Sequence, residues 1–278
     1  MTLPIGFMQG RLSPQVNGMI QAFPWDTWRD EFPAAEKLGI GLMEWTLDHV
    51  RLAENPLMTA AGQAEIAALS KAHGVNVVSL TGDVFMQMPF WRVTGEARAR
   101  RLGEFDTVAE ACSRMGIRFI VVPLVDNGAM TTLAEETAVV EEFGKRTEWL
   151  KQRGLAVVFE CDYPAARLAA FIARFSEGAF GINYDIGNSA AMGYDSREEI
   201  AAYFPRIFNV HIKDRELGGA TVPLGTGNAD LSGTLGDLAR RGYRGFYILQ
   251  TARAADGDHV GVLARYRDMA AGWINITA

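Results

Sequence analysis

The chain has 278 residues, a net charge of −6 and 49% apolar residues, which suits one large globular domain with a buried core. The acidic balance argues against a nucleic-acid partner, whose phosphates are held by clustered Lys and Arg. No run approaches the ~18 apolar residues that span a bilayer. The opening residues show no basic region with a long apolar stretch behind it. Two cysteines, Cys112 and Cys161, are too few for a disulfide framework. These features predict a cytoplasmic protein with no membrane partner.

Short β-like runs alternate with helical stretches along the chain. Strands are predicted at 4–8, 41–44, 76–80, 118–123, 155–160, 181–185, 207–212 and 245–250. Most are continuous apolar runs, as expected of parallel strands buried on both faces. Between them, Trp28, Phe32, Ala35 and Leu38 mark one helical stripe. Leu102, Phe105, Val108, Ala109 and Cys112 mark a second, and Leu133, Val139, Val140, Phe143 and Leu150 a third. Gly39, Gly74, Gly116, Gly154 and Gly242 follow helical stretches, where a C-terminal cap needs a left-handed residue.

This alternation over ~250 residues predicts a single α/β domain, a (β/α)8 TIM barrel. A doubly wound open sheet is the runner-up. It would carry a Gly-rich fingerprint in the first strand–helix turn, and Gln9-Gly10-Arg11-Leu12-Ser13-Pro14 does not fit one.

In such barrels chemistry sits at the C-terminal strand ends. Three late strands end in a residue that can hold a metal: Glu160, Asp185 and His211. Each lies about one strand–helix unit from the next, and a fourth strand ends in Gln250, an amide. Two carboxylates, an imidazole and an amide oxygen suit Mn2+ or Mg2+, with Zn2+ a possible occupant. Lys213 alternates with His211 and so shares its side of the strand, where it can stabilise a developing oxyanion. Gln9, Arg11, Glu44, Asp83, Asp126, Asn127, Asn188, Arg215 and Arg253 lie at or just beyond other strand ends and are the candidate substrate-binding residues. Residues 85–91 are too apolar for a bare solvent loop and suggest a lid or a contact between copies of the chain, leaving a homo-oligomer open. The glycines of 218–228 either admit a phosphate near backbone N–H groups or make turns.

With these residues in view, the chain resembles the sugar phosphate isomerase/epimerase group of the xylose isomerase-like barrels. The resemblance rests on Met8-Gln9-Gly10-Arg11-Leu12-Ser13-Pro14, Val122-Pro-Leu-Val-Asp-Asn127, Asp185-Ile-Gly-Asn188, Val210-His-Ile-Lys-Asp-Arg215 and Leu249-Gln-Thr-Ala-Arg253. It implies a metal held by Glu160, Asp185, His211 and the strand-end position at 250. In sugar 3-epimerases of this kind two strand-end glutamates also shuttle protons. Gln250 departs from that pattern, because an amide is no base. The implied chemistry is removal by Glu160 of the proton α to a carbonyl of a small carbohydrate, with Lys213 and the metal stabilising the enediolate. A dehydratase or lyase of a keto-polyol would share that first step. A non-catalytic sugar-binding barrel would share only the ligand.

Overall fold

A computed structural model describes residues 3–275, so residues 1–2 and 276–278 lie outside it. Eight parallel strands close a barrel: β1 (Ile5–Met8), β2 (Leu42–Thr46), β3 (Asn76–Thr81), β4 (Phe119–Leu124), β5 (Ala156–Cys161), β6 (Phe180–Asp185), β7 (Ile207–Ile212) and β10 (Phe246–Leu249). Each pairs with its neighbour in sequence, and β10 closes onto β1 with Ile5 opposite Tyr247. Two further strands, β8 (Asp214–Arg215) and β9 (Thr221–Val222), form an antiparallel hairpin outside the barrel. The predicted strands thus stand within a residue or two of the observed ones, and Gln250 lies one residue past β10.

Both faces of the strands are covered. All six residues of β4 and of β6 are buried, as continuous apolar runs demand. Phe119, Phe208 and Phe246, near the starts of β4, β7 and β10, plug the end away from the site, with Phe119 5.5 Å from Phe246 and 6.0 Å from Phe208 between ring centroids. Phe159 of β5 and Phe180 of β6 form one aromatic cluster with Phe171 and Phe175, between barrel and helices. The helix Gly95–Arg114 buries the predicted stripe from Leu102 to Cys112.

The third stripe needs correction. Its residues fall on two helices, Leu133–Gly144 and Thr147–Gln152, with Gly144 ending the first. Leu133 occupies the first helical position after a Thr132–Glu135 capping box and is 76% exposed. The five cap glycines all adopt positive φ, between 65° and 76°, a region costly for a side chain with a Cβ. Among the described residues no helix is long and apolar enough to cross a membrane.

Residues 85–91 pack largely into the body of the protein. They run through a short helix, Asp83–Gln87, into a turn, and Phe85, Phe90 and Trp91 are buried. Phe85 packs on Phe105, Phe90 on Phe143, and the Trp91 indole donates to Gly128 O at 3.1 Å. Only Met86 and Gln87 reach the barrel mouth.

Candidate active site

At the C-terminal ends of the strands lies a cavity of about 520 Å3, within the range that suits a small ligand. Its walls include Gln21, Asp83, Asp126, Glu160, Asn188, Lys213, Arg215 and Gln250. Beneath it sits a buried polar layer. Strand residues two apart share a face, so Asn183 accompanies Asp185 on β6 and Asn209 accompanies His211 on β7. The ladder shifts register just before Asn183 and, on β2, just before Glu44, a kind of irregularity common beside functional sites.

Glu160, Asp185 and His211 each offer one ligand atom, and these atoms lie within 4.8 Å of one another. His211 is fully buried. Its Nε2 meets Glu44 Oε1 at 2.7 Å, while Nδ1 faces Glu160 Oε2 at 3.2 Å and Asp185 Oδ2 at 3.9 Å. Burial alone would lower the imidazole pKa, but Glu44 and Glu160 outweigh it and raise it to about 10. With its pKa raised this way the ring carries a proton on both nitrogens, so a cation held at Nδ1 would displace the proton there while Nε2–H stays directed at Glu44, the usual arrangement of a carboxylate behind a metal-binding imidazole. One nitrogen and two carboxylate oxygens, next to an open cavity, fit a divalent ion.

Glu160 is held by two amides. Asn188 Nδ2 donates to Oε1 at 2.8 Å and Asn183 Nδ2 to Oε2 at 2.7 Å. Asp185 accepts the backbone N–H of Asn188 on Oδ1 at 2.8 Å, capping the helix Ile186–Ala191. Its Oδ2 accepts from Lys213 Nζ at 3.0 Å. That ammonium also donates to Asn188 Oδ1 at 3.0 Å and Gln250 Oε1 at 3.3 Å. The amide oxygen of Gln250 is thus turned to Lys213, the same ammonium that holds Asp185. Arg215 Nη1 donates to Asn188 Oδ1 at 2.9 Å.

The sequence of residues 32–268 matches the family described as xylose isomerase-like TIM barrel. The chain belongs to that family. This xylose isomerase-like barrel is 24% identical over 252 residues to the L-ribulose-5-phosphate 3-epimerase UlaE of Escherichia coli O1:K1, covering 87% of this chain and 88% of that one. It superposes on the IolI protein with a bound zinc atom at a TM-score of 0.75 and 15% identity, with 99% of each chain covered. It superposes equally, at 0.75 and 13% identity, on the D-allulose 3-epimerase of a Methylomonas species in complex with D-allulose, covering 97% of this chain and 96% of that one.

Several expected substrate-binding residues of this xylose isomerase-like barrel stand elsewhere. Glu44 is fully buried under the cavity, and its oxygens are taken by His211, by Ser79 Oγ at 2.7 Å and by Asn209 Nδ2 at 2.9 Å. It holds the imidazole, because a carboxylate this deep needs donors around it. Gln9 is also fully buried and accepts the Thr46 N–H at 3.1 Å. Arg11 donates to Thr251 O and Ile20 O, both at 2.9 Å, and Arg253 to Gly10 O and Ser13 O. These two arginines brace loops, since their donors are spent on carbonyls. Asn127 is exposed and bonds Met86 O at 2.9 Å. Asp83, Asp126, Asn188 and Arg215 do line the cavity.

The loop after β7 resolves its two readings. The N–H groups of Gly225, Gly227 and Ala229 all point at the buried Asp214 carboxylate, at 2.9, 2.9 and 3.1 Å. An internal carboxylate thus fills the place an anion would take, and the glycines serve turns. The site residues that the strand-end rule missed are Gln21, Asn183, Asn209 and Ser79. For Asn183 and Asn209 the signal was present: a polar residue inside an apolar run, two before a candidate ligand.

Proposed function

We propose that this chain is a divalent-metal-dependent isomerase or epimerase of a small sugar, sugar phosphate or keto-polyol. The observation that carries the reading is the double position of Glu160. It belongs to the cluster with Asp185 and His211, and it also lines the cavity.

The chemistry follows from the chain's own groups. Glu160 is the general base that takes the hydrogen α to a carbonyl. Asn183 and Asn188 fix its orientation, one on each oxygen, and each oxygen keeps a lone pair. Lys213, lining the same cavity, offers a positive charge to a substrate oxygen that becomes negative. Arg215 supplies further cationic N–H groups at the mouth, suited to hydroxyls or a phosphate. Glu160, Asp185 and His211 would hold the ion, with Glu44 behind the imidazole. When bound, it would supply Lewis acidity toward a carbonyl oxygen. The oxygen-rich donor set favours Mn2+ or Mg2+ and admits Zn2+. The family, and relatives whose names describe sugar epimerases, support a small carbohydrate as the substrate.

The test uses purified protein with Mn2+, Mg2+ or Zn2+ and two probes, L-ribulose 5-phosphate and D-allulose, in deuterated water. Turnover should incorporate deuterium and give an isomer that differs in mass only by that deuterium. Glu160→Gln should lower the rate by at least about 10²-fold. Full turnover in that variant would remove Glu160 from the role.

A further inference from the structure

Three carboxylates line the cavity: Asp83, Asp126 and Glu160. Asp126 lies in an exposed turn. Asp83, at the start of the helix that follows β3, is only 7% exposed. Its Oδ2 accepts from Gln21 Nε2 at 2.6 Å. Its other oxygen accepts no hydrogen bond from the described residues and is not sealed in the protein, so it meets the cavity. Asp83 makes no hydrogen bond to Glu160, Asp185 or His211.

Gln21 belongs to a chain of bonds around the cavity wall. Its Oε1 accepts from Gln250 Nε2 at 2.9 Å, and Gln250 Oε1 accepts from Lys213 at 3.3 Å. Lys213 donates to Asn188, which donates to Glu160. An ammonium can only donate. It therefore sets the Gln250 amide with oxygen inward and N–H toward Gln21, which in turn directs its own N–H at Asp83. A glutamate at 250 would accept from Lys213 and, as a carboxylate, offer nothing to Gln21. That is a physical reason for an amide here.

We propose that Asp83 is a second proton-transfer group, acting on the substrate carbon from a different wall than Glu160, and that Gln250 and Gln21 are its positioning residues. The proposal rests on the α-proton reading above. Glu160 takes the proton as the C–H bond breaks, and that electron pair forms the enediolate. The Asp83 O–H then gives its proton to the same carbon as the carbonyl re-forms. Glu160 ends protonated and Asp83 ionised, with no net oxidation, and both reset by exchange with water through the open mouth. Burial supports the acid form: it raises the Asp83 carboxyl to about 7, with the Gln21 bond opposing and the charges of Asp48 and Glu160 assisting.

The experiment compares Mn2+-loaded wild type, Asp83→Asn, Glu160→Gln and Gln21→Met on D-allulose and L-ribulose 5-phosphate in deuterated water. Wash-in at the α-carbon and conversion to the epimer are read separately. Asp83→Asn should keep wash-in within about threefold of wild type and lose conversion by about 10²-fold or more. Glu160→Gln should lose both. Gln21→Met should slow conversion, spare wash-in and move the alkaline limb of the conversion profile to higher pH, because Asp83 loses a donor that stabilises its ionised form. Wild-type conversion in Asp83→Asn overturns the assignment and leaves the α-proton reading standing. Equal loss of wash-in and conversion overturns it too. If Asp83→Asn does not fold, Gln21→Met decides: an unmoved pH limb overturns the proposal. If wild type exchanges neither probe, the α-proton reading falls and this one with it.

Discussion

His211 and Glu44 meet inside the barrel, Nε2 to Oε1 at 2.7 Å, with no solvent exposure on either side chain. Glu44 comes from the second strand and His211 from the seventh, so barrel closure alone brings them together. The pair fixes which imidazole nitrogen faces Glu160 and Asp185. Glu44→Gln keeps the shape and weakens the acceptor. Metal affinity should fall about 10–100-fold, as for other carboxylates behind metal-binding histidines. Titration calorimetry with Mn2+ or Zn2+ measures this, and an unchanged affinity would detach Glu44 from the metal.

A bound ion should stabilise the fold. At a free concentration about a hundredfold above its Kd, an ion that binds only the native state contributes about 2.7 kcal/mol. For a domain of this size that raises Tm by about 5–10 °C. Adding excess chelator should reverse the shift. Asp185→Asn should reduce it sharply, and a metal response equal to wild type in that variant would place the ion elsewhere.

Glu31 gives a pH dependence away from the metal cluster. It is fully buried, and its oxygens accept the N–H of Gly10 and of Leu12 at 2.8 to 3.0 Å. Burial still wins over these donors and raises the carboxyl from 4.5 to about 7. The folded state then holds a proton that the unfolded chain has lost. The contribution is fully present below pH 4.5 and is lost as pH rises through about 7, on the order of 3 kcal/mol over that window. Urea unfolding of the metal-free protein should therefore weaken from pH 5 to 8, and less so in Glu31→Gln. Equal slopes in the two proteins would exclude this cause.

Asp214 predicts a local loosening. Replacing it with Ala leaves the N–H groups of Gly225, Gly227 and Ala229 without their acceptor. An unpaired buried donor costs about 1–3 kcal/mol, less where water reaches it. Amide hydrogen exchange across 225–229 should speed up while the barrel strands stay protected. Unchanged protection would show the loop held by other contacts.

Much of this was legible in the chain. The apolar runs of β4 to β7 ask for burial on both faces, and the cap glycines mark where helices stop. Glu160, Asp185 and His211 stood out because a charged or imidazole side chain at the end of such a run needs a partner. Asn183 and Asn209 carried the same signal one layer deeper. Gln21 had no such mark, since it lies in an irregular loop and gains meaning only from Gln250, Asp83 and Arg11. The third helical stripe misled because its apolar spacing runs past Gly144, where backbone freedom ends the helix.

What the sequence by itself determined was the barrel, its end for chemistry and the three candidate ligands, because those follow from local periodicity and strand-end position. Direction and company were decided only by the tertiary structure. Glu44 stands inside β2, and Arg11 and Arg253 lie a few residues past β1 and β10; one lies under the imidazole and two brace loops. Gln250 was an oddity in the strand-end series. In the fold it is the link between Lys213 and Gln21, because a hydrogen bond's partner depends on which side chains closure brings within 3 Å or so, and no spacing along the chain encodes that distance.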